Sequence, residues 1–154
     1  MTDPYKIIAN ETPAYMTRYW LTNLANVSAL LFANLPEVNW AGFYLVRNGQ
    51  LELGPFQGRP ACLTIRFDRG VCGAAARERR TQIVADVHAF PGHIACDAAS
   101  ESEIVIPLLK GDRLLGVLDV DSPKLSRFNE ADARELQRLV DMLIAATDWP
   151  ADFE

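Results

Sequence analysis

Residues 103–121 read EIVIPLLKGDRLLGVLDVD. Two aliphatic, β-branched runs, Glu103 to Leu109 and Arg113 to Val120, flank the polar triplet Lys110-Gly111-Asp112. That pattern predicts a β-hairpin. Residues two apart on a strand share a face. With a three-residue loop, Ile104, Ile106 and Leu108 face Leu118, Gly116 and Leu114. Glu103 then stands directly opposite Asp119. Asp119 and Asp121 continue the face that carries Leu115 and Val117. Three carboxylates, Glu103, Asp119 and Asp121, are therefore expected to crowd one end of one sheet face.

The rest of the chain extends this sheet. Val38 to Val46 is rich in β-branched and aromatic residues, and Asn48-Gly49 turns it back into Leu51 to Phe56. Ala61 to Ile65 and Gln82 to Val87 read as two further strands. Met16, Trp20, Leu24, Val27 and Leu31 recur at helical spacing, which predicts a helix from about Thr12 to Ala33, closed by Leu35-Pro36. Val71 to Arg80 reads as a second helix. Asn129, with Asp132 three residues on, opens a third with the apolar stripe Ala133, Leu136, Val140, Leu143 and Ile144. Hairpins dominate, so the fold class is α+β: a mostly antiparallel central sheet with helices packed on its faces. Residues 1–154 show no repeat or linker and read as one domain.

Composition excludes several functions. The net charge is −5 and the basic residues are scattered, apart from Arg77 to Arg80, so the footprint that nucleic acid requires is missing. No apolar stretch is long enough to span a bilayer. The opening Met-Thr-Asp-Pro-Tyr-Lys has no basic segment followed by an apolar one, so the cytoplasm is the expected compartment, where thiols stay reduced.

Against that background the three cysteines, Cys62, Cys72 and Cys96, do not read as a disulfide framework. Nor do they read as zinc ligands, because no pair has the short spacing of structural zinc sites, so no metal is expected. Cys96 lies in the irregular stretch His88 to Ser100, just ahead of Glu103, where a loop thiol beside an acidic cluster is a candidate nucleophile. Asp97 and Glu101 work against its ionisation, since a reactive thiolate wants an electropositive setting. His88 and His93 are read as hydrogen-bonding groups that order this loop. Crowded carboxylates repel and raise at least one pKa, which supplies a proton donor. The same cluster suits a substrate ammonium, and an exposed acidic rim or a metal site accounts for it equally well. Trp40 and Tyr44, with Gly42 between them on one strand face, leave a dent between two rings that suits a methyl or thioether group.

Taken together, the segments Asn39-Trp40-Ala41-Gly42-Phe43-Tyr44, Leu53-Gly54-Pro55-Phe56-Gln57-Gly58 and Pro60-Ala61-Cys62 carry a family resemblance. It continues through Arg69-Gly70-Val71-Cys72-Gly73, Asp86-Val87-His88, Gly92-His93-Ile94-Ala95-Cys96-Asp97, Ser102-Glu103-Ile104-Val105 and Gly116-Val117-Leu118-Asp119-Val120-Asp121-Ser122. The chain resembles the free methionine-(R)-sulfoxide reductases, a family built on the GAF domain, over nearly its whole length. The resemblance implies that Cys96 is the nucleophile and that Cys62 resolves it as a disulfide. Cys72 matches a third family cysteine of variable role. It further implies that Glu103, Asp119 and Asp121 bind and polarise the substrate, and that Trp40 and Tyr44 wall the pocket. It implies, too, free methionine sulfoxide as substrate, thioredoxin as external reductant, a second copy in a homodimer, and no bound cofactor. One departure stands out: Phe67-Asp68 precedes the Arg-Gly-Val-Cys-Gly run where family members usually have glycine. A ligand-sensing GAF module and a substrate-free thiol switch are the competing readings.

Overall fold

The computed structural model describes residues 2–94 and 96–153, so Ala95, inside the stretch read as irregular, lies outside the described residues. Helix α1 (Pro4–Glu11) starts where Asp3 accepts a hydrogen bond from the Tyr5 amide and Pro4 fills the first turn. A 3₁₀ turn, Thr12–Tyr15, follows. Helix α2 then runs Trp20–Asn34 and stops at Leu35, as the Leu35-Pro36 signal predicts.

The single helix expected over Thr12 to Ala33 is thus corrected to a 3₁₀ turn, an extended link and α2. The cause is tertiary. Tyr19 bridges Asp148 in parallel, and the Asp148 amide donates to the Arg18 carbonyl. Asn23 accepts from the Thr17 amide and donates to the Thr17 carbonyl and the Thr147 hydroxyl. These bonds hold Thr17 to Tyr19 extended against the end of the last helix, overriding helical periodicity.

Six strands form one sheet: β1 (Trp40–Arg47), β2 (Gln50–Gly58), β3 (Thr64–Ile65), β4 (Gln82–Val84), β5 (Ser102–Lys110) and β6 (Arg113–Ser122). Their order is β3-β2-β1-β6-β5-β4, and every neighbouring pair is antiparallel. Asn48 and Gly49 both take positive φ at the β1–β2 turn, the geometry a two-residue hairpin demands. Helix α3 spans Gly70–Glu78, and α4 spans Glu130–Ala146 behind a complete Asn129–Asp132 capping box. The strands expected over Ala61 to Ile65 and Gln82 to Val87 shorten to β3 and β4. Residues Val87–Ala89 form a 3₁₀ turn capped by Asp86 instead.

The β5–β6 register differs from expectation by two residues. The loop is Gly111-Asp112, with Lys110 paired to Arg113, and the register shifts again between Leu108 and Leu109. Leu115 is the extra residue of that bulge. Glu103 therefore stands opposite Asp121, and Asp119 opposite Val105. Each one-residue change alone swaps the paired faces; together they restore them. Leu115 consequently packs in the helix-side core rather than beside Val117, and Leu114 takes that place.

The sheet separates two cores. One holds Phe43, Ile104, Ile106, Leu118 and Val120 against α1, α2 and α4. The other holds Trp40, Tyr44, Val105 and Val117 against α3 and the loop that follows β4.

Candidate active site

Three rows crossing β5, β6 and β1 build the site. Glu103 pairs with Asp121 and Asp121 with Trp40; Val105 pairs with Asp119 and Asp119 with Gly42; Pro107 pairs with Val117 and Val117 with Tyr44. The acidic rows occupy the end of the sheet next to the loop that carries Cys96. One cavity is lined by Trp40, Tyr44, Cys72, Cys96 and the carboxylates Glu103, Asp119 and Asp121. The space inside it is about 40 Å³ and opens to solvent.

The aromatic wall differs in one respect from expectation. Trp40 and Tyr44 stack with centroids 5.9 Å apart, and Phe56 stacks on Trp40 at 5.2 Å. No dent opens at Gly42, because β2 comes so close that a Cβ there meets Phe56 Cβ, Phe56 Cα at 2.7 Å and the Pro55 carbonyl at 2.9 Å. Glycine at position 42 serves strand approach. Trp40 Nε1 donates to the Arg59 carbonyl at 3.1 Å and Tyr44 Oη to the Cys62 carbonyl at 2.9 Å. Both aromatic rings thereby pin the segment that presents Cys62.

Cys62 and Cys96 are joined in a disulfide, with Cα atoms 5.3 Å apart and a sequence separation of 34. Asn39 holds the Cys96 loop to the start of β1: its Nδ2 donates to Asp97 Oδ2 and to Ser100 Oγ, both at 3.1 Å. At the loop's other end the Gly70 amide donates to the Gly92 carbonyl at 3.0 Å. Cys72 stays a free, buried thiol in the first turn of α3, its Sγ 3.8 Å from Glu103 Oε1. The Phe67-Asp68 departure is absorbed locally. Asp68 pairs with Arg66 at 2.9 Å and the Phe67 carbonyl accepts from Arg77.

Burial shapes the acid chemistry. Glu103 is 8 % exposed and Asp119 5 %. Loss of solvent raises the Glu103 carboxyl, while the hydrogen bond with Asp119, the charge of His93 and the bonds with Asp121 and Cys72 pull it back. Asp119 is pushed well above the usual range by burial, then by the charges of Asp121 and Glu103. Asp121 also rises well, from burial and the Glu103 charge, with the Asp119 hydrogen bond opposing. All three carboxyls are thus displaced toward the protonated form, Asp119 and Asp121 well above the usual range and Glu103 with hydrogen bonds opposing the rise. Asp119 Oδ1 is buried with no group donating to it, which suits a carboxyl that holds its own proton. Burial, followed by the charges of Asp119, Glu103 and Asp121, raises the Cys72 thiol well above its ordinary value, making it a poor nucleophile.

Ligand atoms of Cys72, Glu103 and Asp119 lie within 4.8 Å of one another, a partial shell for a cation. Cysteine spacing alone does not reveal this convergence, because the sheet register creates it. The two histidines divide. His88 meets Glu101 at 3.5 Å, consistent with loop ordering. His93 instead lines the cavity, and its Nε2 is buried without a hydrogen-bond partner among the described residues.

A GAF domain family model matches residues 22–146. A protein of Escherichia coli named free methionine-R-sulfoxide reductase is 50 % identical over 137 residues, covering 87 % of this chain and 83 % of that one. The chain belongs to the free methionine-(R)-sulfoxide reductase family of GAF domains. A Saccharomyces cerevisiae member with the same name is 43 % identical over 132 residues, covering 80 % of this chain and 73 % of its own. The structure of the Staphylococcus aureus reductase in complex with its substrate superimposes with a TM-score of 0.88 at 45 % identity, covering 95 % of this chain and 97 % of that one.

Proposed function

We propose that this protein is an L-methionine (R)-S-oxide reductase that returns free methionine sulfoxide to methionine. The observation that carries the reading is the convergence of a Cys62–Cys96 disulfide, a proton-holding carboxyl cluster and the Trp40 face on one cavity. The names of the relatives supply the substrate and its epimer.

In the mechanism, the substrate ammonium pairs with the charge on Glu103 and its methyl group lies against Trp40. A protonated aspartate, Asp119 or Asp121, donates to the sulfoxide oxygen and makes the sulfur electrophilic. The Cys96 thiolate attacks. The sulfur–oxygen bond of the substrate breaks, methionine leaves with two electrons gained, and Cys96 is oxidised to a sulfenic acid. The Cys62 thiol condenses with that sulfenic acid, forming the disulfide and releasing water. Thioredoxin, as external dithiol, returns both cysteines to thiols by exchange and is itself oxidised to a disulfide. In this sequence of steps the disulfide state is the one that follows release of methionine. The protein works in the cytoplasm as a homodimer with no bound cofactor.

The experiment is NADPH consumption by purified protein with thioredoxin and thioredoxin reductase, supplied separately with free R sulfoxide, free S sulfoxide and a peptide-bound sulfoxide. Turnover of the free R epimer alone is expected. No turnover, even with dithiothreitol, refutes the reading and favours the ligand-sensing module.

A further inference from the structure

Cys72 has no part in the mechanism above. It is a free, buried thiol outside the Cys62–Cys96 bond, yet it lines the same cavity as the carboxylates. Its Sγ, an oxygen of Glu103 and an oxygen of Asp119 lie within 4.8 Å of one another, and Sγ is 3.8 Å from Glu103 Oε1. A tetrahedral zinc ion holds a thiolate at ~2.3 Å and a carboxylate oxygen at ~2.0 Å, which sets those two ligand atoms about 3.5 Å apart. A small side-chain adjustment therefore closes the shell. A second observation points to a ligand. Asp119 is 5 % exposed, lines this cavity, and its Oδ1 receives no hydrogen bond among the described residues. A buried acceptor left without a donor costs stability. A proton on the carboxyl relieves that cost, and a cation in its place does so equally.

We propose that Cys72, Glu103 and Asp119 form a binding site for a thiophilic divalent cation of the zinc class, and that a cation held there excludes the substrate. The donor set selects the ion. One thiolate with two carboxylates suits a borderline-soft dication, whereas Mg²⁺ and Ca²⁺ take all-oxygen shells. Three protein ligands leave the fourth position for water from the cavity. The exclusion rests on the reductase reading above, in which Glu103 takes the substrate ammonium; the metal site itself does not. Binding replaces the thiol and carboxyl protons, so it is reversible and of moderate strength. It needs neither Cys62 nor Cys96 and persists while they are joined. Short cysteine spacing marks structural zinc sites, and this site has none, because strand pairing and the first turn of α3 assemble it.

The test uses the full chain with the Cys62–Cys96 bond intact and Co²⁺ and Zn²⁺ as probes. Co²⁺ is expected to bind as one equivalent and to give a near-ultraviolet thiolate-to-cobalt absorption band, which only Cys72 can produce while the other two cysteines are joined. Zn²⁺ is expected to displace it, and excess Mg²⁺ to leave it unchanged. Cys72→Ser is expected to remove the band and to weaken Zn²⁺ binding more than the about tenfold to hundredfold that loss of an outer-shell partner costs. Glu103→Gln, which keeps the thiol, is expected to weaken both ions. Exclusion is read in the Cys62→Ser/Cys96→Ser variant, which retains Cys72 as its one cysteine and cannot turn over. Free methionine (R)-sulfoxide is expected to raise its apparent Kd for Zn²⁺ in proportion to concentration, with the S epimer controlling for chelation in solution. No band in the wild type, or a Zn²⁺ affinity untouched by Cys72→Ser, overturns the site and leaves the reductase reading intact. A band that the R epimer weakens no more than the S epimer overturns the exclusion, and metal-free turnover of the wild type then decides whether the reductase reading falls with it.

Discussion

The proton assigned to Asp119 has a thermodynamic signature independent of catalysis. An unfolded chain ionises this carboxyl near the ordinary aspartate value of about 4. The native cluster, where Asp119 is 5 % exposed and faces Glu103 and Asp121, holds the proton to much higher pH. The native state then binds one proton more than the unfolded state, and stability falls as pH rises. The contribution is fully present below the unfolded value and is lost progressively until the native carboxyl ionises. The slope is about 1.4 kcal/mol per pH unit for one group. Asp119→Asn keeps the shape and a hydrogen-bond donor and removes the titrating site. As pH rises above the unfolded value the variant is expected to lose less stability than wild type, by about 1.4 kcal/mol for each pH unit over which the native carboxyl stays protonated, against a total of roughly 5–15 kcal/mol. The assay is urea unfolding at a series of pH values with the Cys62–Cys96 bond intact, read as midpoint and slope. Parallel stability curves for the two proteins refute the proton assignment.

Three further outcomes follow from the geometry. Cys96→Ser is expected to abolish turnover, whereas Cys62→Ser reduces one substrate equivalent and stops with a sulfenic acid on Cys96; mass spectrometry after a single turnover reads the added oxygen, and full steady-state turnover of Cys62→Ser with thioredoxin refutes the resolving role. Gly42→Ala forces β1 and β2 apart at Phe56 and is expected to destabilise by about 1–3 kcal/mol while lifting Phe56 off Trp40; an unchanged urea midpoint contradicts the close approach. Asn129→Ala removes the acceptor for the Asp132 amide and is expected to cost about 1 kcal/mol with kcat/KM unchanged, since α4 lies on the far side of the sheet from the cavity.

What the sequence made legible, and what it hid, divides along physical lines. Side-chain period survives errors in pairing. Reading Glu103 opposite Asp119 was off by two residues, yet the carboxyl cluster stands, because the shorter Gly111-Asp112 loop and the Leu115 bulge each shift the register by one and parity is kept. The break before α2 was hidden because its cause lies at Asp148 and Thr147, far along the chain. The adjacency of β1 and β6 is equally non-local, and it alone carries Trp40 to Asp121 and Gly42 to Asp119. His93 was hidden for a different reason. A histidine in an irregular loop belongs to no periodic pattern, and its significance comes from the absence of a partner at Nε2, which only a folded structure displays. The same reasoning applies to the neighbours of Cys96, Asp97 and Glu101, which oppose a thiolate in the sequence. In the fold both acids are engaged elsewhere, Asp97 with Asn39 and the Ala99 amide, Glu101 with His88. The Asp97 contact is non-local, since Asn39 lies 58 positions earlier, at the start of β1.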